Sequence, residues 1–555
     1  MPGTLTLAPD LAAAGAAVDV ARSVCERAAA RLAQLATDDG GAISVARLDR
    51  HQVLAYDLAH ATSGVEGSRV MVGYGAHGEA EAALACLYVA EAIWDLTCRI
   101  AGREGEWGLS VSDLDPARAF MEAHRSPEYL ETVAASLEAA GTGPAHLADE
   151  FEMVRDTFRR FAADKVRPVA EEVHRENNDI PEAVIGGLAE LGGFGLSVPE
   201  EYGGFASGDE SDYLGMVIAT EELSWGSLGV GGSLITRPEI LTRALVRGGT
   251  EDQKRKWLPR IATGEAMVGV MVTEPDFGSD VANIKMTATR DGDGWRINGV
   301  KTWATFAGRA NTLMLLVRTD PDRSKGHRGL SLFVVEKPEA PGHHFEFTQD
   351  EGTGGTNGAR GRMEGRAIDT LGYRGMHSYE VAFEDWWVPH DCLVGGDDGL
   401  GKGFYYQMEG FENGRLQTAA RAVGLMQSAF EAALDYARER KVFGQPIFEY
   451  QLTRAKLARM AAMICGGRQF AYQVARLMAK GEGALEASMV KASVCRAAEW
   501  VTREALQIHG GMGYAEEFPV SRYFVDARVL SIFEGADETL CLRVIARRLA
   551  EGAAT

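Results

Sequence analysis

The order of hydrophobic periodicities constrains this chain more than any other feature. Helical spacing comes first, strand-like runs occupy the middle, and helical spacing returns to the end. From Leu11 to Leu137 the sequence is Ala-rich with apolar residues at helical intervals, as in Ala80-Glu81-Ala82-Ala83-Leu84-Ala85-Cys86-Leu87-Tyr88-Val89. Gly141-Thr142-Gly143-Pro144 breaks the pattern, and a second helical stretch opens at Asp149-Glu150-Phe151 and persists to about Gly264. Val-, Thr- and Gly-rich runs follow, such as Thr312-Leu313-Met314-Leu315-Leu316-Val317 and Leu330-Ser331-Leu332-Phe333-Val334-Val335, which are strand signals. After Gly403 the spacing is helical again, with long segments from Arg415 to Arg440 and from Gln451 to Ala479. A doubly wound nucleotide fold needs alternating strands and helices and is excluded. The expected class is α+β: a helical front segment over 1–148, a helical domain over 149–265, a β domain over 266–398 and a helical domain over 399–555. The tract from Gly352 to Gly365 is Gly-rich and too polar for a core, which predicts a long loop or insertion.

The front segment carries one internal match. Gln52, Leu58, Ala59, Gly67 and Arg69 correspond to Gln451, Leu457, Ala458, Gly466 and Arg468 at a constant offset. Either the front is a degenerate copy of the last helical domain, or two Ala-rich helices coincide.

Composition narrows the functional class. With 555 residues and 46% hydrophobic content there is ample material for several packed cores. A net charge of -22 argues against a general nucleic-acid binder, which needs clustered Lys and Arg to neutralise phosphates. Seven cysteines, never in a CxxC pair, point to reduced cytoplasmic thiols. No run reaches the roughly 18 apolar residues of a spanning helix, and no leader pattern opens the chain, so neither membrane nor export is expected. The His343-His344 pair has no carboxylate or Cys at metal-ligand spacing and no HExxH occurs, so no metal site is expected.

Five local patterns carry chemistry, in this order: Val272-Thr273-Glu274-Pro275-Asp276-Phe277-Gly278-Ser279-Asp280, Lys301-Thr302-Trp303-Ala304-Thr305, Arg440-Lys441-Val442-Phe443-Gly444, Gln507-Ile508-His509-Gly510-Gly511-Met512-Gly513-Tyr514, and Ile532-Phe533-Glu534-Gly535. The first offers backbone N–H groups and hydroxyls at a strand end, suited to a polar ring edge or a phosphate; an ordinary β-turn is the competing explanation. Trp303 and Thr305 fall on alternate positions of a strand, which predicts that both face one side. Arg440 and Phe443 end a long helix, where a guanidinium can pair with pyrophosphate and a ring can pack on a base, or where a charged face is simply solvated. Gly510, Gly511 and Gly513 let backbone approach phosphate closely, or cap a helix. Glu534 follows Leu530, Ile532 and Phe533, and burial there would raise its pKa towards that of a useful base.

Together the five patterns resemble the acyl-CoA dehydrogenase family from about Glu150 to the end. The resemblance implies an N-terminal helical domain, a central β-barrel-like domain and a C-terminal four-helix bundle, with FAD as cofactor. It implies that Met271, Thr273, Ser279, Trp303, Thr305, Gln507, Gly510, Gly511 and Glu538 contact FAD, and that Arg440, Phe443 and Gln451 serve the FAD of a neighbouring subunit. It implies that Ser279, Glu412, Arg415 and Gly535 line the CoA-ester channel. Glu534 becomes the catalytic base, with its own backbone N–H among the donors that stabilise the developing enolate oxygen. Some members place the base on a helix, at the position that here is Gly414, which cannot act; Glu412 is a minor rival.

Three departures narrow the resemblance: the front segment, the insertion with Arg360, Arg362 and Arg366, and Ala536 where a Thr is usual. They look most like a bacterial subgroup acting on a short, branched dicarboxylic acyl-CoA. A second carboxylate calls for a buried cation at the acyl end, and Arg237 is the candidate, with the insertion arginines next. An exposed arginine is the competing reading. The implied partners are the acyl-CoA substrate and an electron-transferring flavoprotein, in a homo-oligomer with a dimer favoured over a tetramer. A dehydrogenase for another short or branched acyl-CoA, an oxidase on the same fold and a non-catalytic flavoprotein scaffold are the alternatives.

Overall fold

A computed structural model describes residues 8–356 and 360–554. The chain divides into two compact units, residues 1–152 with 418–555 and residues 153–417. The front helices are α1 (Leu11–Ala36), α2 (Gln52–Gly75), α3 (Glu79–Ile100), α4 (Asp115–His124) and α5 (Pro127–Ala140). Next come α6 (Asp149–Phe161), α7 (Arg167–Glu176), α8 (Glu182–Glu190), α9 (Glu210–Gly226), α10 (Thr236–Gly248) and α11 (Glu251–Ala262). Strands β1 (Val268–Met271), β2 (Thr287–Asp291), β3 (Gly294–Thr305), β4 (Thr312–Arg318), β5 (Leu330–Glu336), β6 (His344–Thr348), β7 (Arg362–Ile368) and β8 (Ser378–Pro389) follow. The chain closes with α12 (Gly403–Glu439), the hairpin β9 (Lys441–Val442) and β10 (Gln445–Pro446), then α13 (Gln451–Ala479), α14 (Ala484–His509), α15 (Val520–Leu530) and α16 (Ala546–Ala554). The helices–strands–helices order and the extra front helices are those read from the sequence.

The front unit shows why small residues recur. Asp10 caps α1 by accepting from the Ala13 N–H, and Ala14, Ala17, Val18, Ala21, Val24, Cys25 and Ala28 form its buried stripe. The matched glycines of the internal similarity meet the same ring. A Cβ on Gly67 of α2 would lie 2.5 Å from the Tyr88 hydroxyl, and one on Gly466 of α13 would lie 2.2 Å from Tyr88 Cε2. Tyr88 of α3 thus fills a slot that only glycine leaves open on both helices, and Gln52 and Gln451 each open their helix.

In the other unit the strands run β1-β4-β2-β3-β8-β7-β6, with β5 on β4; β1 and β4 are parallel and most neighbours antiparallel. Ile240, Leu241 and Leu245 of α10 and Trp257, Leu258 and Ile261 of α11 pack with Val268, Met314, Leu316, Leu332 and Val334 in one core. A capping box starts α11: Thr250 accepts from Gln253 N–H while Gln253 accepts from Thr250 N–H. The same Gln253 amide donates to the Asp391 and Leu393 carbonyls, fastening the helix to the chain after β8.

The expected loop over Gly352 to Gly365 is shorter than its composition implies. Arg362 to Gly365 already belong to β7, which pairs with β6 and β8; backbone pairing and Met363, fully buried, outweigh the polar sequence. Residues 357–359 lie outside the described residues. All seven cysteines are free thiols. Among the described residues no helix is long and apolar enough to cross a membrane.

Candidate active site

Two of the motifs meet at one end of the sheet. Thr273 follows β1, and its carbonyl accepts from the Thr302 N–H at 2.9 Å. Beside this bond lies a buried ion pair: Lys301 Nζ donates to Glu274 Oε1 at 2.9 Å and to the Val272 carbonyl at 2.8 Å, and Glu274 also accepts from the Lys285 and Met286 N–H groups. Burial pulls the Lys301 amine down to about 8 against the pull of Glu274. The turn itself is tight, with reciprocal Glu274 and Phe277 backbone hydrogen bonds at 3.0 Å. Met271 is buried at the end of β1, Thr273 half-buried and Ser279 exposed. Sequence reading singled out Thr273 and Trp303 but missed the Lys301–Glu274 pair that ties their segments. A lysine and a glutamate in two flavin-like motifs were the available signal.

Trp303 and Thr305 differ in how far β3 encloses them. The β3–β8 register slips between Lys301 and Ala304, and Trp303 takes a φ of 57°. Such a bulge re-aims side chains locally. Trp303 is 55% exposed while Thr305 is buried and shares a 3.1 Å hydroxyl contact with Ser378. A large indole held outward between buried neighbours, next to turn hydroxyls and open backbone, fits the face of an aromatic heterocycle such as a flavin.

Arg237 is buried, which removes the reading of it as a surface arginine. It sits at the start of α10, where Thr236 Oγ1 donates to Gln417 Oε1 at 2.6 Å. One turn on, a Cβ at Gly410 would lie 2.9 Å from Ile240 Cγ2. The two helices therefore run antiparallel in close contact, with Arg237 in the register that spans residues 410–417 of α12. Half-buried Glu412 and Arg415 and buried Gly414 lie on that stretch. The insertion arginines are spent otherwise. Arg362 bonds Glu346 and Glu364, Arg366 bonds Glu364, and Arg360 is exposed.

In the other unit, α12 ends at Glu439, so Arg440 follows the helix and Phe443 occupies the turn of the β9–β10 hairpin rather than a helix end. Phe443 is 96% exposed with a φ of 50°, and Tyr514 is 88% exposed. Tyr436 stacks on His509 at 4.3 Å, which brings the end of α12, with Arg440, beside the end of α14, with Gln507 and Gly510. Gly510 caps α14 at a φ of 59°, its N–H donating to the Gln507 carbonyl. Gln507, Gly511 and Glu538 are exposed. Gln451 is exposed and donates to Glu131 of α5.

Glu534 lies in the loop between α15 and the following helical turn. It is half-buried, short of the enclosure expected from its apolar neighbours, because Ile532 turns outward and is 54% exposed. Its φ is 53° and that of Gly535 is 100°. A left-handed non-glycine residue costs about 1–3 kcal/mol and persists where its surroundings over-determine it. Here Phe533 lies under the Arg421 guanidinium at 4.6 Å, and buried Lys491 donates to the Gly535 carbonyl. Gly535 is required twice over, by its φ and by Leu540, 3.0 Å from where a Cβ would stand.

Two clusters of potential metal ligands occur among the described residues, His60 with Asp537 and Cys541, and Asp179 with His343 and His377. The second gives His343 a carboxylate neighbour that sequence spacing could not reveal. In the first, the Asp537 carboxylate already accepts from Tyr56 and His60.

Three family models match the chain: the acyl-CoA dehydrogenase N-terminal domain over residues 148–265, the middle domain over 269–386 and the C-terminal domain over 401–550. The (2S)-methylsuccinyl-CoA dehydrogenase of Cereibacter sphaeroides is 38% identical over 98% of this chain and 98% of its own length. The mitochondrial short-chain specific acyl-CoA dehydrogenase of Bos taurus is 33% identical over 71% of this chain and 88% of its own. A solved structure of glutaryl-coenzyme A dehydrogenase in complex with glutaryl-CoA is 30% identical with a TM-score of 0.65, covering 72% of this chain and 95% of that one. The chain belongs to the acyl-CoA dehydrogenase family.

Proposed function

We propose that the protein desaturates a short, branched dicarboxylic acyl-CoA, taking (2S)-methylsuccinyl-CoA to mesaconyl-CoA. The carrying observation is the match to the methylsuccinyl-CoA enzyme along 98% of the chain, front helices included, where the short-chain dehydrogenase spans 71%. The family implies FAD; the outward Trp303 with the Thr273 turn suits it, and the exposed Phe443 suits the FAD of a neighbouring subunit. When bound, FAD supplies the acceptor for the β-hydride.

The protein's own part is to bind, orient and move one proton. The Glu534 carboxylate takes the α-proton of the thioester while the carbonyl oxygen gathers enolate charge. The Glu534 backbone N–H, held in the left-handed turn, donates to that oxygen and lowers the barrier. Loss of the β-hydride with its electron pair leaves the Cα=Cβ bond, so two electrons depart for each proton taken. Arg237 pairs with the distal carboxylate, with Glu412 and Arg415 along the same channel. Gly414 leaves the helical position without a base. The electrons go on to an electron-transferring flavoprotein.

The front segment lays α2 and α3 on α13, and in this reading it covers a face that would otherwise join further subunits, giving a homodimer. A kinetic scan tests the assignment: anaerobic flavin bleaching by methylsuccinyl-, butyryl- and glutaryl-CoA, with fastest bleaching by methylsuccinyl-CoA expected. Fastest bleaching by a straight-chain ester would contradict the substrate, and rapid peroxide formation in air would contradict a dehydrogenase.

A further inference from the structure

The segment carrying Glu534 is held partly by the front helices. Tyr56 and His60 stand one turn apart on one face of α2, with their rings edge to face at 4.8 Å. Tyr56 donates its hydroxyl hydrogen to Asp537 Oδ2 at 2.5 Å, and His60 Nε2 lies 3.0 Å from the same oxygen. Asp537 and His60 are both buried. Arg496 of α14 lies 5.9 Å above the Tyr56 ring, and Cys541 Sγ lies 3.4 Å from His60 Nε2. Burial works against the Asp537 carboxylate, but the His60 and Tyr56 hydrogen bonds outweigh it and hold its pKa below the usual value; burial lowers the pKa of His60 against the pull of Asp537.

Asp537 also closes the loop that contains Glu534. Its N–H donates to the Ser531 carbonyl at 3.0 Å, and the Ser531 hydroxyl is fixed on Glu499. The strained Glu534–Gly535 pair therefore sits inside a ring of chain whose two ends meet at Asp537. A conformation of this kind lasts only while its supports last.

We propose that Tyr56 and His60 are positioning residues for the reaction: gripping Asp537, they hold the left-handed Glu534–Gly535 turn and so aim the Glu534 carboxylate. The front segment then acts in catalysis without touching substrate. The inference rests on Glu534 being the base.

The test compares wild type with Tyr56→Phe/His60→Leu and with His60→Gln, which keeps a donor. Two quantities are read: the anaerobic rate of flavin bleaching by methylsuccinyl-CoA per bound FAD, and amide hydrogen exchange across residues 531–538. The double variant is expected to bleach about 10- to 100-fold more slowly, since a displacement near 1 Å costs that much. KM should change little, exchange at 531–538 should quicken, and His60→Gln should recover most of the rate. A double variant that bleaches at the wild-type rate per FAD, however much less stable it is, overturns the proposal. If wild type is bleached by no CoA ester, the proposed function fails instead, and unchanged exchange in the double variant still overturns the positioning role. Tyr56→Phe alone removes one hydroxyl and carries the same comparison should the double variant not fold.

Discussion

Lys491, fully buried on α14, donates to the carbonyl of Gly535, the residue next to Glu534. A charged side chain so enclosed is costly unless its partners are fixed, and here one partner is the backbone of the strained turn. Lys491→Met removes the donor and keeps the length. The expected result is about 1–3 kcal/mol of lost stability in chemical denaturation, from the carbonyl left without that donor. The rate of flavin bleaching should fall more than KM rises.

The His60–Asp537 pair predicts loss of stability in acid. His60 has its folded pKa lowered from 6.5 by burial, with Arg496 and Arg99 opposing its protonation and Asp537 favouring it. The unfolded chain then binds more protons just below pH 6.5, so stability falls as pH drops from there towards the folded pKa. Asp537, also lowered, adds a second loss below about pH 4. Thermal melts of wild type and His60→Gln from pH 8 to pH 5 should show a smaller decline in the variant.

Arg237→Leu should raise KM for methylsuccinyl-CoA by about 10- to 100-fold, the worth of one charge-assisted hydrogen bond to a carboxylate. Butyryl-CoA, without a distal carboxylate, should be affected far less. Equal effects on both would remove Arg237 from substrate recognition.

Gly466→Ala places a methyl group into the Tyr88 ring. Overpacking of this kind costs about 1–3 kcal/mol, visible as a lower melting temperature. Tyr88→Ala in the same chain should relieve part of it. Light scattering of the unaltered protein should give the mass of a dimer, and a tetramer would contradict the covering role of the front helices.

Much of the fold was legible because period and order are local properties. The strand runs at Thr312 and Leu330 and the helix opening at Gln451 all fall where spacing placed them. The site was legible only as motifs. The bulge at Trp303 arises from pairing with β8, so β3 read alone does not show it. Arg362 was hidden in a Gly-rich tract because strand pairing with β6 and β8 decides its structure. The grip of Tyr56 and His60 on Asp537 joins residues 481 and 477 positions apart, beyond the reach of any local pattern.

Glu534→Gln tests the account most directly, because it removes the base while keeping size and hydrogen bonding. Purified with FAD bound and mixed anaerobically with methylsuccinyl-CoA, the variant should keep its yellow colour with bleaching slowed by at least about 1,000-fold, in the range expected for loss of a general base. Bleaching near the wild-type rate would contradict the assignment of Glu534.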